Sequence, residues 1–408
     1  MQSATLPPSE VFSLVKGFKY PIYPTESQKE LFAKTFGSCR YVWNRALAQA
    51  KFEYEYYLTV KDTNQNTKML KPNVSGYGFV NKLVSYKNDV NSLWLNKVSS
   101  VALQQTMLQL GGAFSTFLKN RKGYPKFKKR SHEQSFSLVG NGFRIKGNRL
   151  YIVKSKEPLV INWTRKLPSC PTSCTISLTP TGQYYISFTA EYYPVPTTGT
   201  GEVGLDLGLK DLITVSNGTK VANPKHLRQR AKQLKRKQQS LSRKQKGSKN
   251  HNKARLIVAK VHAKITNTRK DFHHKLSRTL INENQVIGLE KLMVKNMIKN
   301  RKLSKSISDA GWSSFTKMLE YKAKESQHCK IVYMDTWYPS SHICHVDGYK
   351  LDRKLSLADR SWICPHCNTK HDRDVNAAIN IRNEALKAIA RVPASELANH
   401  AIIIADNR

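Results

Sequence analysis

The sequence predicts a multidomain α+β protein in which a helical bundle interrupts a small antiparallel β-barrel, followed by an α/β domain with a short cysteine knuckle. Three observations carry that expectation. Apolar residues recur at helical spacing over roughly residues 25 to 120 and switch to strict alternation from Phe136. The order of elements from residue 201 onward is strand, hairpin, helices, strand, strand, acid-bearing helix. Finally, Cys364-Pro-His-Cys367 is followed almost at once by His371-Asp-Arg-Asp374, which sets metal-ligand spacing against a helix start.

Along the chain, Leu14 to Ile22 reads as a strand ending at Pro24. Ser27 as N-cap and Glu30 as its partner then open an amphipathic helix, a capping-box pattern. Helical spacing continues through Phe32, Phe36, Tyr41, Trp43 and Leu47 and again from Val101 to Phe117. Phe143 to Lys146, Leu150 to Val153, Leu159 to Asn162 and Tyr184 to Ala190 alternate as strands between Gly, Pro and Asn, so they complete a barrel that the Leu14 strand closes. Cys170 and Cys174, with no partner pair nearby, read as barrel-core thiols. The Pro-, Thr- and Gly-rich stretch Tyr193 to Gly201 is a linker.

Beyond it, Asp206 lies on a strand that turns at Gly208 into Leu212 to Ser216. Lys225 to Leu276 is intensely basic, with Asp271 its only acid and an interruption at Lys246 to Asn250. Leu227, Leu234 and Leu241 recur every seventh residue, so two antiparallel helices pair along an apolar seam. Val286 to Leu289 is a buried strand with Glu290 at its carboxyl end, Asp309 to Lys324 a helix, and Lys330 to Met334 a strand. The segment past Ala390 shows no packing signal and reads as a flexible tail, 391–408.

A formal charge of +40, from 68 Lys+Arg against 28 Asp+Glu, needs a polyanion to neutralise it, and nucleic acid is the natural partner. A basic ribosomal or membrane-surface protein is the alternative, but no apolar run is long enough to span a bilayer and no basic amphipathic anchor stands out. The first twenty residues lack a secretory signal pattern, and the cysteine spacing suits a reducing compartment, so a cytoplasmic, nucleoid-associated protein is expected.

The element order is that of an RNase H-like domain, in which acids on neighbouring elements converge. Two Mg²⁺ ions about 3.5–4 Å apart need several hard oxygen ligands, and Asp206, Glu290 and Asp374 supply carboxylates in suitable places. Each acid has a plainer alternative. Asp206 before its glycine can simply make a turn, Glu290 can pair with Lys291, and Asp374 can cap a helix beginning near Asn376. Asp372 is the rival third ligand, and is read here as the helix cap.

These residues carry a family resemblance. Gly204-Leu-Asp206-Leu-Gly208, Ile287-Gly-Leu-Glu290, Ser306-Ile-Ser-Asp-Ala-Gly-Trp312 and Asp372-Arg-Asp374-Val-Asn-Ala-Ala-Ile-Asn-Ile resemble the TnpB proteins of insertion sequences, RNA-guided nucleases related to type V CRISPR effectors. Tyr23-Pro-Thr-Glu-Ser-Gln28, Gly37-Ser-Cys-Arg-Tyr-Val-Trp-Asn44 and Gly123-Tyr-Pro-Lys-Phe-Lys-Lys129 extend it into the N-terminal half. The Asp-Arg-Asp-x-Asn-Ala-Ala run is highly specific.

The resemblance implies a RuvC-like nuclease domain at 201–339 with a basic hairpin at 225–278 and a final helix at 371–390. It implies an oligonucleotide-binding-type barrel, or wedge, at 1–24 and 126–200, with a helical recognition domain at 25–125. It further implies Mg²⁺ on Asp206, Glu290 and Asp374, with Mn²⁺ as a substitute, a guide RNA made from the transposon end, and a double-stranded DNA target opened beside a short motif. Motif reading maps onto the helix with Gln104, whose amide suits an adenine edge; an ordinary exposed helix residue is the alternative. A zinc-ribbon-like insertion is implied at 340–370, but Asp347 stands where the family has a second thiolate. The expected zinc ligands are therefore Cys344, Asp347, Cys364 and Cys367, with His345 as a substitute. Two other functions compete with a nuclease: a guided repressor that does not cut, and a DNA transposase or its accessory. The three standing acids favour the nuclease, and no His-hydrophobe-His pair with a tyrosine nucleophile marks a transposase. The sequence leaves the oligomeric state open.

Overall fold

The computed structural model describes residues 13–61, 71–121, 123–131, 133–353, 355–356, 359–393 and 401–405. The chain forms two compact units, Met1–Tyr193 and Pro194–Arg408. No helix among the described residues is long and apolar enough to cross a membrane.

In the first unit, β1 (Leu14–Tyr23) leads into α1 (Glu26–Lys61), α2 (Gly76–Asn88), a 3-10 helix (Val90–Lys97) and α3 (Ser100–Asn120). The strands β2 (Gln134–Val139), β3 (Phe143–Lys146), β4 (Arg149–Ile152), β5 (Val160–Ile161), β6 (Ser173–Leu178) and β7 (Tyr184–Tyr192) follow. Four of these join β1 in a five-stranded antiparallel sheet in the order β2-β6-β7-β1-β5, with β3 and β4 a separate hairpin. The first helix starts earlier than the Ser27/Glu30 pattern predicts. Thr25 and Gln28 close the capping box instead: Thr25 N donates to Gln28 Oε1 at 3.0 Å and Gln28 N to Thr25 Oγ1 at 3.4 Å. Phe32 and Phe36 of α1 reach Phe136 of β2 at ring separations of 5.7 and 5.4 Å, so helices and sheet share one core. Cys174 on β6 lies in that core, whereas Cys170 is exposed, contrary to the reading of both as core thiols.

Two motifs of this unit are partners. Trp43 Nε1 donates to Lys126 O, Asn44 Nδ2 to Lys128 O and Lys128 N to Asn44 Oδ1, while Lys128 Nζ stands 3.9 Å from the Trp43 ring centre. The Gly123 to Lys129 segment is thereby strapped across α1.

In the second unit, a six-stranded sheet has the order β10-β9-β8-β11-β12-β15. Its strands are β8 (Gly201–Leu207), β9 (Asp211–Val215), β10 (Lys220–Ala222), β11 (Asn284–Glu290), β12 (Lys330–Met334) and β15 (Ile402–Ile404). β8, β9 and β10 are antiparallel neighbours, whereas β8, β11, β12 and β15 run parallel. The tail expected to be flexible is therefore corrected at 402–404, where Ile331, Val332 and Tyr333 pair with Ile402, Ile403 and Ile404. Backbone pairing at an open sheet edge rewards a short β-branched run that periodicity does not flag.

The basic stretch forms α4 (His226–Ser242) and α5 (Lys249–Glu283), sealed by Leu234, Val258 and Ile265 with Leu227, Leu241 and Val261 packed against them. Asp309, on α7 (Ser304–Ala310), accepts Leu227 N at 2.8 Å and Arg228 N at 3.2 Å, so the root of the hairpin is capped from a distant element. α6 (Val294–Met297) precedes α7. The helix expected from Asp309 through Lys324 is divided at Gly311, beyond which α8 (Trp312–Ser326) begins. A small hairpin, β13 (Ser361–Ile363) with β14 (Lys370–Asp372), leads into α9 (Arg373–Ala390).

Candidate active site and metal knuckle

A Gly-Leu-acid phrase occurs on two neighbouring strands: Gly204-Leu205-Asp206 on β8 and Gly288-Leu289-Glu290 on β11. Their parallel register sets Gly288 beside Gly204 and Leu289 beside Leu205, so one residue further on Glu290 stands beside Asp206 at the carboxyl edge of the sheet. Strand side chains alternate, so each glycine shares a face with its acid, while Leu205 and Leu289 are fully buried on the other. A Cβ on Gly204 would lie 2.0 Å from Ala378 O, and one on Gly288 2.9 Å from Ile381 O. The bare backbone thus lets α9 lie directly on the two strands. Asp374 is four residues, about one turn, before Ala378, which carries it toward the two strand acids.

Charge concentrates here. Burial and then the charges of Glu290 and Asp374 push the Asp206 carboxyl up to about 8, against the opposing pull of Arg373. Burial also raises Glu290, which Arg373 and a hydrogen bond from Ser340 Oγ (2.5 Å) partly offset. Arg360 approaches Asp374 at 3.6 Å. Asp372 is otherwise employed. Its carboxylate accepts Asp374 N and Val375 N as the N-cap of α9, and it pairs with Lys220 at 2.6 Å. Among the described residues, the knuckle alone gathers three or more ligand atoms all within 4.8 Å of one another, so the three acids stand wider apart than its ligands do.

The raised Asp206 pKa has a sign that can be measured. Its folded value near 8 lies above the ordinary 3.8, so the metal-free fold holds a proton that the unfolded chain has lost between those values. That contribution to stability is complete below about pH 4 and disappears as pH rises through about 8. Asp206→Asn is therefore expected to raise the melting temperature of metal-free protein at pH 8 and to leave it unchanged at pH 4. An equal shift at both pH values would remove Asp206 from the cluster.

At the knuckle, Cys344, Asp347, Cys364 and Cys367 converge. Cys344 Sγ lies 3.6 Å from Cys367 Sγ, and Cys364 Sγ 3.6 Å from Asp347 Oδ2. His366 Nδ1 holds Asp347 Oδ2 at 2.8 Å, an orienting contact that the sequence reading missed. The carboxyl of Asp347 is held well below its usual range, first by the Cys344 thiol and then by Tyr349 N. His345, the expected substitute ligand, is turned away: its Nδ1 sits 2.9 Å from Asn376 Oδ1. The imidazole beside the cluster is His371, with Nε2 3.1 Å from Cys344 Sγ. Three sulfurs and a carboxylate oxygen suit tetrahedral Zn²⁺. Gln104 stands exposed on α3 of the first unit, next to buried Ala102 and Leu103.

Family models match three stretches: one described as a probable transposase at residues 185–301, a Cas12f1-like TNB domain at 312–381, and a helix-turn-helix domain at 14–57. The last falls on β1 and α1, where the structure has a strand and one unbroken helix of 36 residues. A Streptomyces pristinaespiralis protein named "Putative RNA-guided DNA endonuclease" is 39% identical over 92% of this chain and 90% of its own length. InsQ of Escherichia coli (strain K12), which bears the same description, is 27% identical over 90% of this chain and 91% of its own. The Cas12f1 chain of a Cas12f1-sgRNA-target DNA complex superposes with a TM-score of 0.55 at 12% identity, covering 91% of this chain and 99% of that one, so the two share a fold. Twin glycine-acid strands under α9, a cysteine knuckle inside the TNB match and a relative 39% identical along nearly its whole length together establish that this chain belongs to the TnpB family.

Proposed function

We propose that the protein is an RNA-guided DNA endonuclease that cuts DNA complementary to a bound guide RNA, beside a short target-adjacent motif, by two-metal-ion hydrolysis. The observation that carries this reading is the placing of Asp206 and Glu290 on neighbouring parallel strands beneath α9, where burial first, and then the charges of Glu290 and Asp374, raise the Asp206 carboxyl to about 8. Such a cluster is costly unless cations fill it. Asp206, Glu290 and Asp374 would hold Mg²⁺, with Mn²⁺ as a substitute. When bound, the metal supplies an activated water and stabilises the leaving 3′ oxygen. The chain's own residues orient the cluster: Ser340 fixes Glu290, the Asp372 cap sets the start of α9, and Arg373 tempers the negative charge. Sequence choice would be delegated to base pairing, with the protein reading shape and a flanking motif, a role to which Gln104 is suited.

The first unit is read as an oligonucleotide-binding-type barrel with its helical insertion gripping the guide. The exposed Lys232, Lys235, Arg236, Lys253 and Arg255 of the α4–α5 hairpin are read as phosphate contacts. The protein is therefore expected to purify with RNA, whose sequencing identifies the guide. Matched duplex DNA and Mg²⁺ then test for cutting, and binding without cutting would favour the guided repressor. Non-specific duplex binding is expected to weaken steeply with salt, each phosphate contact adding about 0.9 to the log–log slope. A flat salt dependence would remove the phosphate role of the hairpin.

The knuckle is read as a zinc site whose occupancy shapes the segment between β12 and α9. Because a hard oxygen suits zinc less than a thiolate does, chelators are expected to strip the metal readily and Asp347→Cys to slow its loss. Elemental analysis checks this. Zinc-free protein that cuts normally, together with an inert Cys364→Ser variant, would make the knuckle a packing element alone.

A further inference from the structure

Trp337 is 87% exposed, the most open large apolar side chain among the described residues. Its position is not that of a stray surface residue. Met334, the last residue of β12, pairs in register with Glu290, so the chain leaving β12 emerges at the sheet edge where the acids stand. The turn it then makes is firmly tied. Asp335 Oδ1 accepts Trp337 N at 2.7 Å and Asp335 O accepts Tyr338 N at 3.2 Å, while Tyr338 packs against the core of β12 and α9. Ser340, three residues past Trp337, donates to Glu290 and is itself held by Asn380 Nδ2 at 2.8 Å through its carbonyl. The backbone on both sides of the indole is thus held by hydrogen bonds, and the ring faces solvent.

An indole left bare on a rigid turn beside clustered carboxylates has one chemically apt occupant in a protein of charge +40, the flat face of an unpaired base. We propose that Trp337 stacks on a nucleobase of the single strand entering the acid cluster and so fixes which phosphate meets Asp206, Glu290 and Asp374. The inference rests on reading that cluster as the cutting site. Stacking tolerates every base, so Trp337 would set the position of the cut without adding sequence preference.

The test uses protein purified with its RNA, activated by matched duplex DNA and assayed on strands carrying a single abasic nucleotide at successive positions near the cut. Trp337→Ala is expected to lower kcat/KM about 5- to 100-fold, with a melting temperature equal to the parent's, and Trp337→Tyr to recover most of the loss. At one position the abasic nucleotide should reduce the parent to the level of Trp337→Ala and leave that variant unaffected. If Trp337→Ala cuts like the parent, or abasic sites cost parent and variant equally everywhere, the stacking role is overturned while the endonuclease reading stands. Should even the parent fail to cut, that reading fails separately. Tryptophan quenching by oligothymidylate then decides the stacking: its loss in Trp337→Phe supports it and its full retention overturns it.

Discussion

Alanine at Asp206, Glu290 or Asp374 is expected to reduce guided DNA cleavage on the order of 10³-fold or more, since metal stabilisation of the transition state is worth several kcal/mol. Binding should survive in each variant. Removing a carboxylate from a protein of charge +40 makes the site more positive, so affinity for phosphates does not fall. Asp372→Ala separates the two acids of the motif. It deletes the cap on Asp374 N and Val375 N and the pair with Lys220, a loss of about 1 kcal/mol of stability with cutting reduced less than about tenfold. Cleavage time courses and filter binding on one matched target check all four. A triad variant that cuts within tenfold of the parent would strike that residue from the site.

The second large effect concerns a residue with no chemistry of its own. Gly204→Ala puts a methyl 2.0 Å from Ala378 O and 2.5 Å from Arg382 N, both backbone atoms of α9 that cannot swing aside. The helix must lift, and overpacking of this kind costs about 1–3 kcal/mol or more. Lifting α9 moves Asp374 away from Asp206, so cutting should fall further than stability alone explains. Gly288→Ala meets Ile381 O at 2.9 Å and the Ala385 Cβ at 3.0 Å, a milder clash, and should cost less on both counts. Gly17→Ala on β1, with nothing within 4 Å of the added carbon, is the neutral control. Thermal melts alongside cleavage rates decide the order. Equal behaviour of Gly204→Ala and Gly17→Ala would show that α9 does not depend on the bare strand.

The elements that carry the three acids were legible because each acid lies at or near the end of a segment that its neighbours announce. Glu290 closes the apolar run Val286 to Leu289, and Asp374 sits inside a helix whose cap, Asp372, is two residues ahead. What the sequence hid was spatial. The twin glycines explain the contact with α9 only once β8 and β11 are known to run in parallel register. Ser340 and His366 carry no periodic signal and become visible only beside Glu290 and Asp347. Two overlapping capping boxes, Thr25/Gln28 and Ser27/Glu30, satisfy the same local rule. The choice of the first follows from Gln28 being buried, with its Nε2 donating to the carbonyls of Glu157 and Pro158. Ile402–Ile404 was missed because three apolar residues specify a strand only when an edge such as β12 is open to receive them.

The distant cap on α4 has a consequence for how the basic arm moves. Its root is clamped by Asp309, whereas toward the turn between α4 and α5 the two helices are joined along the apolar seam that includes Leu241. Local opening therefore costs least at the tip and most near Leu227. Amide hydrogen exchange should run as a gradient along the arm, fast around Lys244 to Lys246 and slowest toward Leu280 and Ile281, which are buried in the sheet's core. Such an arm opens from its tip, while its root stays clamped to α7.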